Sequence, residues 1–340
     1  MRILLVTQMW PSRDEPDLGS FLVPVADELE KLGHSVEVAA LSRRGGPPTK
    51  YAGLVREAVR TARRDPPDVV FAHFLFPAGF AGARAARAAD VPLVLMAHGQ
   101  DVANLGRIPG VTTITRRLVV GSAAVIANSS WLAERLAGAI PAARAKTEVI
   151  DCGVDLDAFS PRPAPPARAE LGWGEDGPAF LCVGSLIERK NVVGLAESFE
   201  SIGAGSLAFV GDGPLRERLE GRDRVRITGR IAQAEVPRWI AATDVLCQPS
   251  LIEPFGQATL EAMAMERSVV ATTVGGPPEF VSPEAGVLVD PGDTAGLAAA
   301  LERAARLPSP NPAAREAAAE HDVRRQAARM AAVLERATAS

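Results

Sequence analysis

Twelve short apolar runs, spaced by helix-length segments, punctuate this chain of 340 residues, and that rhythm limits the folds open to it. Residues 3–6, 36–40, 69–72, 93–97, 124–127 and 147–150 carry few polar positions on either face, as do parallel strands covered by helices on both sides. The pattern breaks over 157–169, where Pro161, Pro163, Pro165 and Pro166 read as a linker. It resumes with 180–183, 207–210, 226–228, 245–247, 269–271 and 286–289. The predicted fold class is α/β, with two Rossmann-like doubly wound domains over 1–155 and 171–318, a linker over 156–170, and a last helix within 319–340 drawn from the Ala/Arg-rich stretch 316–337. Open sheets of this kind collect ligands beyond the carboxyl ends of their strands, so two facing halves would hold them in the cleft between.

Composition narrows the function. With 47% hydrophobic and 23% charged residues the chain resembles an ordinary soluble enzyme able to build two cores. Its net charge of −4 argues against nucleic acid as a partner, which needs a concentrated basic surface. Cys152, Cys182 and Cys247 match no metal or disulfide spacing and read as small buried apolar residues of a reducing compartment. The chain enters its first strand without a basic leader, and no run of about eighteen apolar residues follows, so cytoplasmic residence is the expectation.

The most informative segment is EPFGQATLEAMAMERSVVATTVGGPPEFV, from Glu253 to Val281. Pro254 stops a helix from running back through Glu253, while residues 256–265 are Ala-, Leu- and Met-rich, so a helix is expected to begin near Gly256. Glu253 then lies in the loop and Glu261 on the helix, roughly 8 Å or more apart along its axis. Between them stand the free N–H groups and positive dipole end of a helix, which favour an anion; ionised carboxylates repel that anion and accept hydrogen bonds from hydroxyls. A diphosphate on the helix end with polyols to either side describes a nucleotide-sugar. Taken singly, either glutamate equally fits an ordinary acid at a helix start or on a solvated face.

Other residues carry chemistry of the same kind. Every cation of the second half is arginine except Lys190, which follows a strand in VGSLIERKNV, where a compact ammonium can approach phosphate as a point charge. His98-Gly99-Gln100-Asp101 ends the fourth predicted strand, although a lone strand-end histidine is as often bonded to local backbone. His73 ends the third, among apolar neighbours that favour packing. The loop after the first strand has Gly19 but no G-x-G-x-x-G, and Asp14, Glu15 and Asp17 would repel a pyrophosphate, which argues against a nicotinamide dinucleotide.

Glu253, Glu261 and the turn Gly275-Gly276-Pro277-Pro278-Glu279 resemble the E-x7-E signature and G-G-x-P-E turn of the retaining glycosyltransferases of GT-B fold, a family that includes glycogen synthases and phosphatidylinositol mannosyltransferases. The similarity spans nearly the whole chain. It implies a GT-B architecture with an interdomain cleft, 1–155 on the acceptor side, 171–318 binding the nucleotide-sugar donor, and the last helix crossing back to the N-terminal domain. In the family an R-x4-K pair contacts the donor diphosphate. Here Lys190 keeps the lysine but Ser185 replaces the arginine, so Arg189 or a main-chain N–H supplies the missing charge, or the leaving group is held less strongly. His98 and Asp101 resemble the family's H-G-x-D element, with the histidine against the donor sugar's hydroxymethyl group and the aspartate near the acceptor. Gly19 matches its glycine loop, with the neighbouring acids facing the acceptor. Gly211 to Pro214 resembles an element framing the base pocket, although glycines in a turn more often serve backbone geometry. Asp151 to Asp155 resembles its N-G-V-D motif with Cys152 in place of asparagine.

The resemblance thus implies a catalytic set of Lys190, Glu253, His98 and Asp101. The implied donor-binding set is Gly19, Ser185, Arg189, Lys190, Gly211, Phe255, Gly256, Gln257, Ala258 and Glu261. No D-x-D element stands in the donor half, so no metal and no cofactor beyond the donor co-substrate are expected. No residue is an obvious covalent nucleophile, so front-side attack, with the leaving diphosphate as base, is the implied route to retention. A nucleotide-sugar epimerase of the same fold and a catalytically silent nucleotide-sugar-binding protein are the alternatives. The acceptor is expected to be a sugar, a lipid-linked glycan or a small molecule. Arg56, Arg60, Arg63 and Arg64 lie on a predicted helix over 54–64 whose other face carries Leu54, Val55, Ala58 and Val59. That pattern fits either a solvated face or peripheral contact with anionic lipid at the inner face of a membrane.

Overall fold

The computed structural model describes residues 1–174 and 177–339, and these form two units, Met1–Gly153 with Val323–Ser340, and Val154–Asp322. In the first unit β1 (Arg2–Thr7), β2 (Ser35–Ala40), β3 (Val69–His73), β4 (Leu93–Ala97), β5 (Ala124–Ala127) and β6 (Thr147–Val149) make one parallel sheet in the order β2-β1-β3-β4-β5-β6. Alternate residues pack on opposite faces because strand side chains repeat with a period of two. Leu4, Val6, Val70, Ala72 and Leu95 join one cluster with Leu54, Ala58 and Ala81, whereas Ile3, Phe71, Val94 and Met96 join another with Leu29, Met330 and Leu334. Both faces are therefore apolar, which is why these strands read as continuous runs.

The second unit repeats the scheme. Its strands β7 (Ala179–Val183), β8 (Ser206–Val210), β9 (Val225–Gly229), β10 (Val245–Gln248), β11 (Ser268–Thr272) and β12 (Gly286–Val289) lie in the order β12-β11-β10-β7-β8-β9, all parallel. From β7 the chain winds first toward β9 and then, from β10, toward β12. The strand order reverses between β7 and β10, so the loops leaving those two strands diverge from a common point where open α/β sheets bind ligands. The three cysteines are free and buried.

Three expectations need correction. The stretch taken as a linker contains a helix, Ala164–Leu171, whose Ala167 and Leu171 are buried and whose Arg168 pairs with Asp244 at 2.6 Å. Pro165 and Pro166 fall in its first turn, where the N–H that proline lacks has no helical partner anyway. The tail is two helices, Pro312–Ala319 in the second unit and Val323–Thr338 in the first. They are separated where Val154 N–H donates to His321 O at 2.8 Å and Val154 bridges Asp322. The arginine-bearing helix runs from Lys50 to Arg64, and Leu54 and Ala58 of its apolar face are buried in the first unit's core, so that face is not available to lipid. Arg56, Arg60, Arg63 and Arg64 stay exposed, as on a solvated face, and Arg64 pairs with Glu37. Among the described residues no helix is long and apolar enough to cross a membrane.

Candidate active site

The two loops that leave the switch point of the second unit are cross-linked to each other. Lys190, after β7, places its ammonium 2.5 Å from Glu253 Oε2, and the Ser250 hydroxyl donates to the same oxygen at 2.9 Å. Arg189 donates to the carbonyl of Ile252 at 3.1 Å, and Leu251 N–H donates back to the carbonyl of Arg189 at 2.8 Å. Glu253 is only 7% exposed. Burial alone would raise its pKa, but Lys190, Arg189 and Ser250 together outweigh it and hold the carboxyl below its ordinary value. The side chain is therefore an anion at neutral pH.

The Gly-Gly turn belongs to the same construction. Glu253 N–H donates to Val274 O at 3.0 Å, and Gly276 N–H donates to Glu253 O at 2.9 Å. Gly275 sits at φ 127°, where a Cβ would lie 1.8 Å from the Glu253 carbonyl oxygen. No other residue can stand there without displacing Glu253, which links the turn to the glutamate 22 positions before it.

Gly256 caps the helix Gln257–Ala264 with no side-chain acceptor, and the amino end of that helix carries the positive end of its dipole. The Ala258 methyl packs against the core, and the Phe255 ring is buried beside Phe280 at a centroid distance of 5.4 Å. Glu261 differs from expectation. Every residue from Thr259 to Ala264 is buried, and Glu261 is only 6% exposed. Burial pushes its pKa up to about 8 against hydrogen bonds from Gln257 and Gln233. At neutral pH it is a carboxylic acid that can donate as well as accept. The two motif glutamates thus sit in opposite charge states, as paired acids with different duties do.

Ser185 is exposed and fills none of the space of the missing arginine. Gly211, expected at the base pocket, has a backbone duty: its N–H donates to Gly229 O at 3.0 Å, and a Cβ there would meet Gly184 O at 1.9 Å. It supports the loop that carries Lys190.

In the first unit, Gly19 (φ 68°) precedes a short turn, Ser20–Leu22, and abuts the carbonyl of Met9. Two of the loop's three acids, Glu15 and Asp17, are paired within the unit, while Asp14 is exposed. Arg44 binds Glu15 at 2.8 Å and Asp17 at 2.6 Å, which neutralises them. Asp101, expected near the acceptor, staples its own loop. Its buried carboxylate accepts main-chain hydrogen bonds from Gly99 at 2.8 Å, Leu75 at 2.9 Å, Val102 at 3.1 Å and His98 at 3.2 Å. Burial raises its pKa in opposition to those donors. It fixes the turn that presents His98. That ring lies 3.0 Å from His73, from His73 Nδ1 to His98 Nε2, with Phe74 and Phe21 at centroid distances of 4.5 and 5.5 Å.

Residues 177–306 match the family described as Glycosyl transferases group 1, and residues 19–158 match Glycosyltransferase Family 4. A 2-deoxystreptamine glucosyltransferase of Streptomyces kanamyceticus is 30% identical over 284 residues, 76% of this chain and 73% of that one. The chain belongs to the group 1 glycosyltransferases. A putative teichuronic acid biosynthesis glycosyltransferase, TuaC of Bacillus subtilis, is similar to this glycosyltransferase at 28% identity over 352 residues, 89% of each chain. Among solved structures, Anabaena HepE in complex with UDP-glucose superposes with a TM-score of 0.78 at 24% identity, covering 98% of this chain and 99% of that one. The GT-B fold is thereby shared.

Sequence reasoning missed Ser250, Gln233 and Arg44, which act by positioning or neutralising other side chains. Only Ser250, three residues before Glu253, left a local signal.

Proposed function

We propose that this glycosyltransferase moves a sugar, with retention, from a nucleotide diphosphate sugar to an acceptor hydroxyl, without a metal ion. The observation that carries the reading is the Lys190–Glu253 pair set just ahead of the uncapped helix Gln257–Ala264. An ammonium has three donors, so Lys190 can keep Glu253 and still meet a phosphate oxygen. As the glycosidic bond breaks, charge grows on the diphosphate, where the helix amides and Lys190 stabilise it. Glu253, held as an anion by Lys190 and Ser250, is positioned to accept from a sugar hydroxyl rather than to form a covalent intermediate. Glu261, protonated, pairs with a hydroxyl as donor or acceptor. His98 serves as a neutral hydrogen-bonding group. HepE binds UDP-glucose, so a UDP-sugar is the first donor to try. The names of TuaC and of the deoxystreptamine enzyme point to glycan or polyol acceptors.

A thermal-shift screen of UDP-, GDP-, ADP- and dTDP-sugars identifies the donor, since a ligand of the folded state raises its melting temperature. Release of nucleoside diphosphate that needs an acceptor and survives chelator is the expected result. An altered sugar formed from donor alone would replace transfer by epimerisation, and no stabilisation by any nucleotide-sugar would remove the donor site.

A further inference from the structure

His73 and His98 end neighbouring strands of the first unit and meet through ring nitrogens 3.0 Å apart, His73 Nδ1 to His98 Nε2. Two nitrogens at that distance share one proton; two lone pairs or two N–H groups would repel. Both rings are neutral at physiological pH, since burial holds His98 down to about 3 and His73 well below its ordinary value, the latter helped by His98. Each ring therefore carries one hydrogen, and the shared edge decides where the other nitrogen of each stands.

The outer edge of His73 breaks the tie. His73 is 0% exposed, and its Nε2 has no hydrogen-bond partner among the described residues. If that atom carried the hydrogen, the core would enclose an orphan N–H, the rarer and costlier kind of unpaired group; a bare nitrogen there is the lesser loss. His73 then donates from Nδ1, His98 Nε2 accepts, and the His98 hydrogen sits on its outer Nδ1. Phe71, Phe74 and Phe21 wall the pair with rings and offer no competing acceptor. The His98 main chain is fixed independently by the Asp101 staple.

We infer that His73 is a positioning residue that locks His98 in its Nδ1–H tautomer, so that His98 presents a hydrogen-bond donor to an oxygen of the substrate. The inference deepens the proposed function and depends on it only for what His98 touches. It removes the alternative of a packing residue for His73, and it makes the first unit's contact chemically directional.

The test begins with the wild-type chain. It has four histidines, His34, His73, His98 and His321, so ring-nitrogen NMR on histidine-labelled protein, assigned with His34→Gln and His321→Gln, reads each tautomer directly. His73 and His98 are both expected as Nδ1–H. His98 as Nε2–H, or averaged between tautomers, overturns the inference whether or not any glycosyl transfer is found. Two variants separate positioning from packing. His73→Asn retains a donor near the place of Nδ1, while His73→Phe keeps the ring volume and removes it. Turnover should fall about three- to tenfold in His73→Phe, the effect of losing one neutral hydrogen bond, with KM for donor little changed and with recovery in His73→Asn. Equal losses in both variants, with His98 unchanged in its NMR signature, would mark His73 as packing alone.

Discussion

Glu261→Gln is the substitution that best separates a buried acid from a solvated carboxylate. In the folded chain this group titrates near 8, against 4.5 for its ordinary value, because burial disfavours the anion. The sign follows from linkage: a folded value above the unfolded one means stability is complete below pH 4.5 and drains away as pH rises toward 8. Each pH unit in that interval costs about 1.4 kcal/mol, so about 5 kcal/mol separates the two ends, a large share of the ~5–15 kcal/mol that holds a typical domain. Glutamine keeps the shape and both hydrogen-bonding roles of the neutral acid but cannot ionise. Denaturant unfolding of both proteins from pH 5 to pH 9 is the assay. The variant should match wild type near pH 5 and surpass it progressively, by a few kcal/mol at pH 9, while nucleotide-sugar affinity at pH 7 stays within about threefold. Parallel pH profiles, together with a loss of affinity of about tenfold or more, as for a severed charge-assisted bond, would show that Glu261 works as an anion and that the burial reasoning fails.

Removing Lys190 should expose the other half of the pair. Lys190→Met leaves Glu253 buried and unpaired, at a cost of about 3–5 kcal/mol, so a lowered Tm should accompany slower transfer, and adding Glu253→Gln should restore part of the Tm but none of the activity. Because the Glu253 value is depressed, its contribution is present above pH 4.5 and lost as acid protonates it; wild type should thus lose stability toward pH 3 more steeply than that double variant. Gly275→Ala would drive a methyl into the Glu253 carbonyl, and a displacement of that kind costs about a hundredfold in turnover. Wild-type rates would dismiss the coupling between turn and glutamate. Asp101→Asn replaces an acceptor of main-chain amides by a partial donor, and unfolding measurements should show a loss of about 1–3 kcal/mol; a neutral result would mean the staple is not needed.

The fold was legible because its signal is repeated. Runs such as VVFAH at β3 are buried on both faces and need no partner to be recognised. The placing of Glu253 in a loop and Glu261 on a helix was equally readable, since Pro254 and Gly256 act locally. What escaped was set by contacts far along the chain. Glu253 and Lys190 are 63 positions apart, and Arg44 reaches Glu15 across 29, so the neutralisation of both acids has no local mark. The charge state of Glu261 did have one: its neighbours Leu260, Ala262, Met263 and Ala264 leave the helix no polar face on which to solvate it. The role of Asp101 is not legible in the sequence for a general reason. A short acid after a strand serves a ligand or its own backbone with the same residue type, and only the geometry of the surrounding amides tells which. The helix Ala164–Leu171 hid behind prolines that break helices in the interior yet are tolerated at their start.

The central claim, a diphosphate seated ahead of the helix Gln257–Ala264 and gripped by Lys190, is tested most directly by titration calorimetry. The full chain and its Lys190→Met variant, below their melting temperatures, are each titrated with the nucleoside diphosphate of the preferred base and with the matching nucleoside. The diphosphate should bind the variant about ten- to a hundredfold more weakly than wild type, while the nucleoside binds both within about threefold. Equal affinities of the two proteins for the diphosphate would contradict the claim.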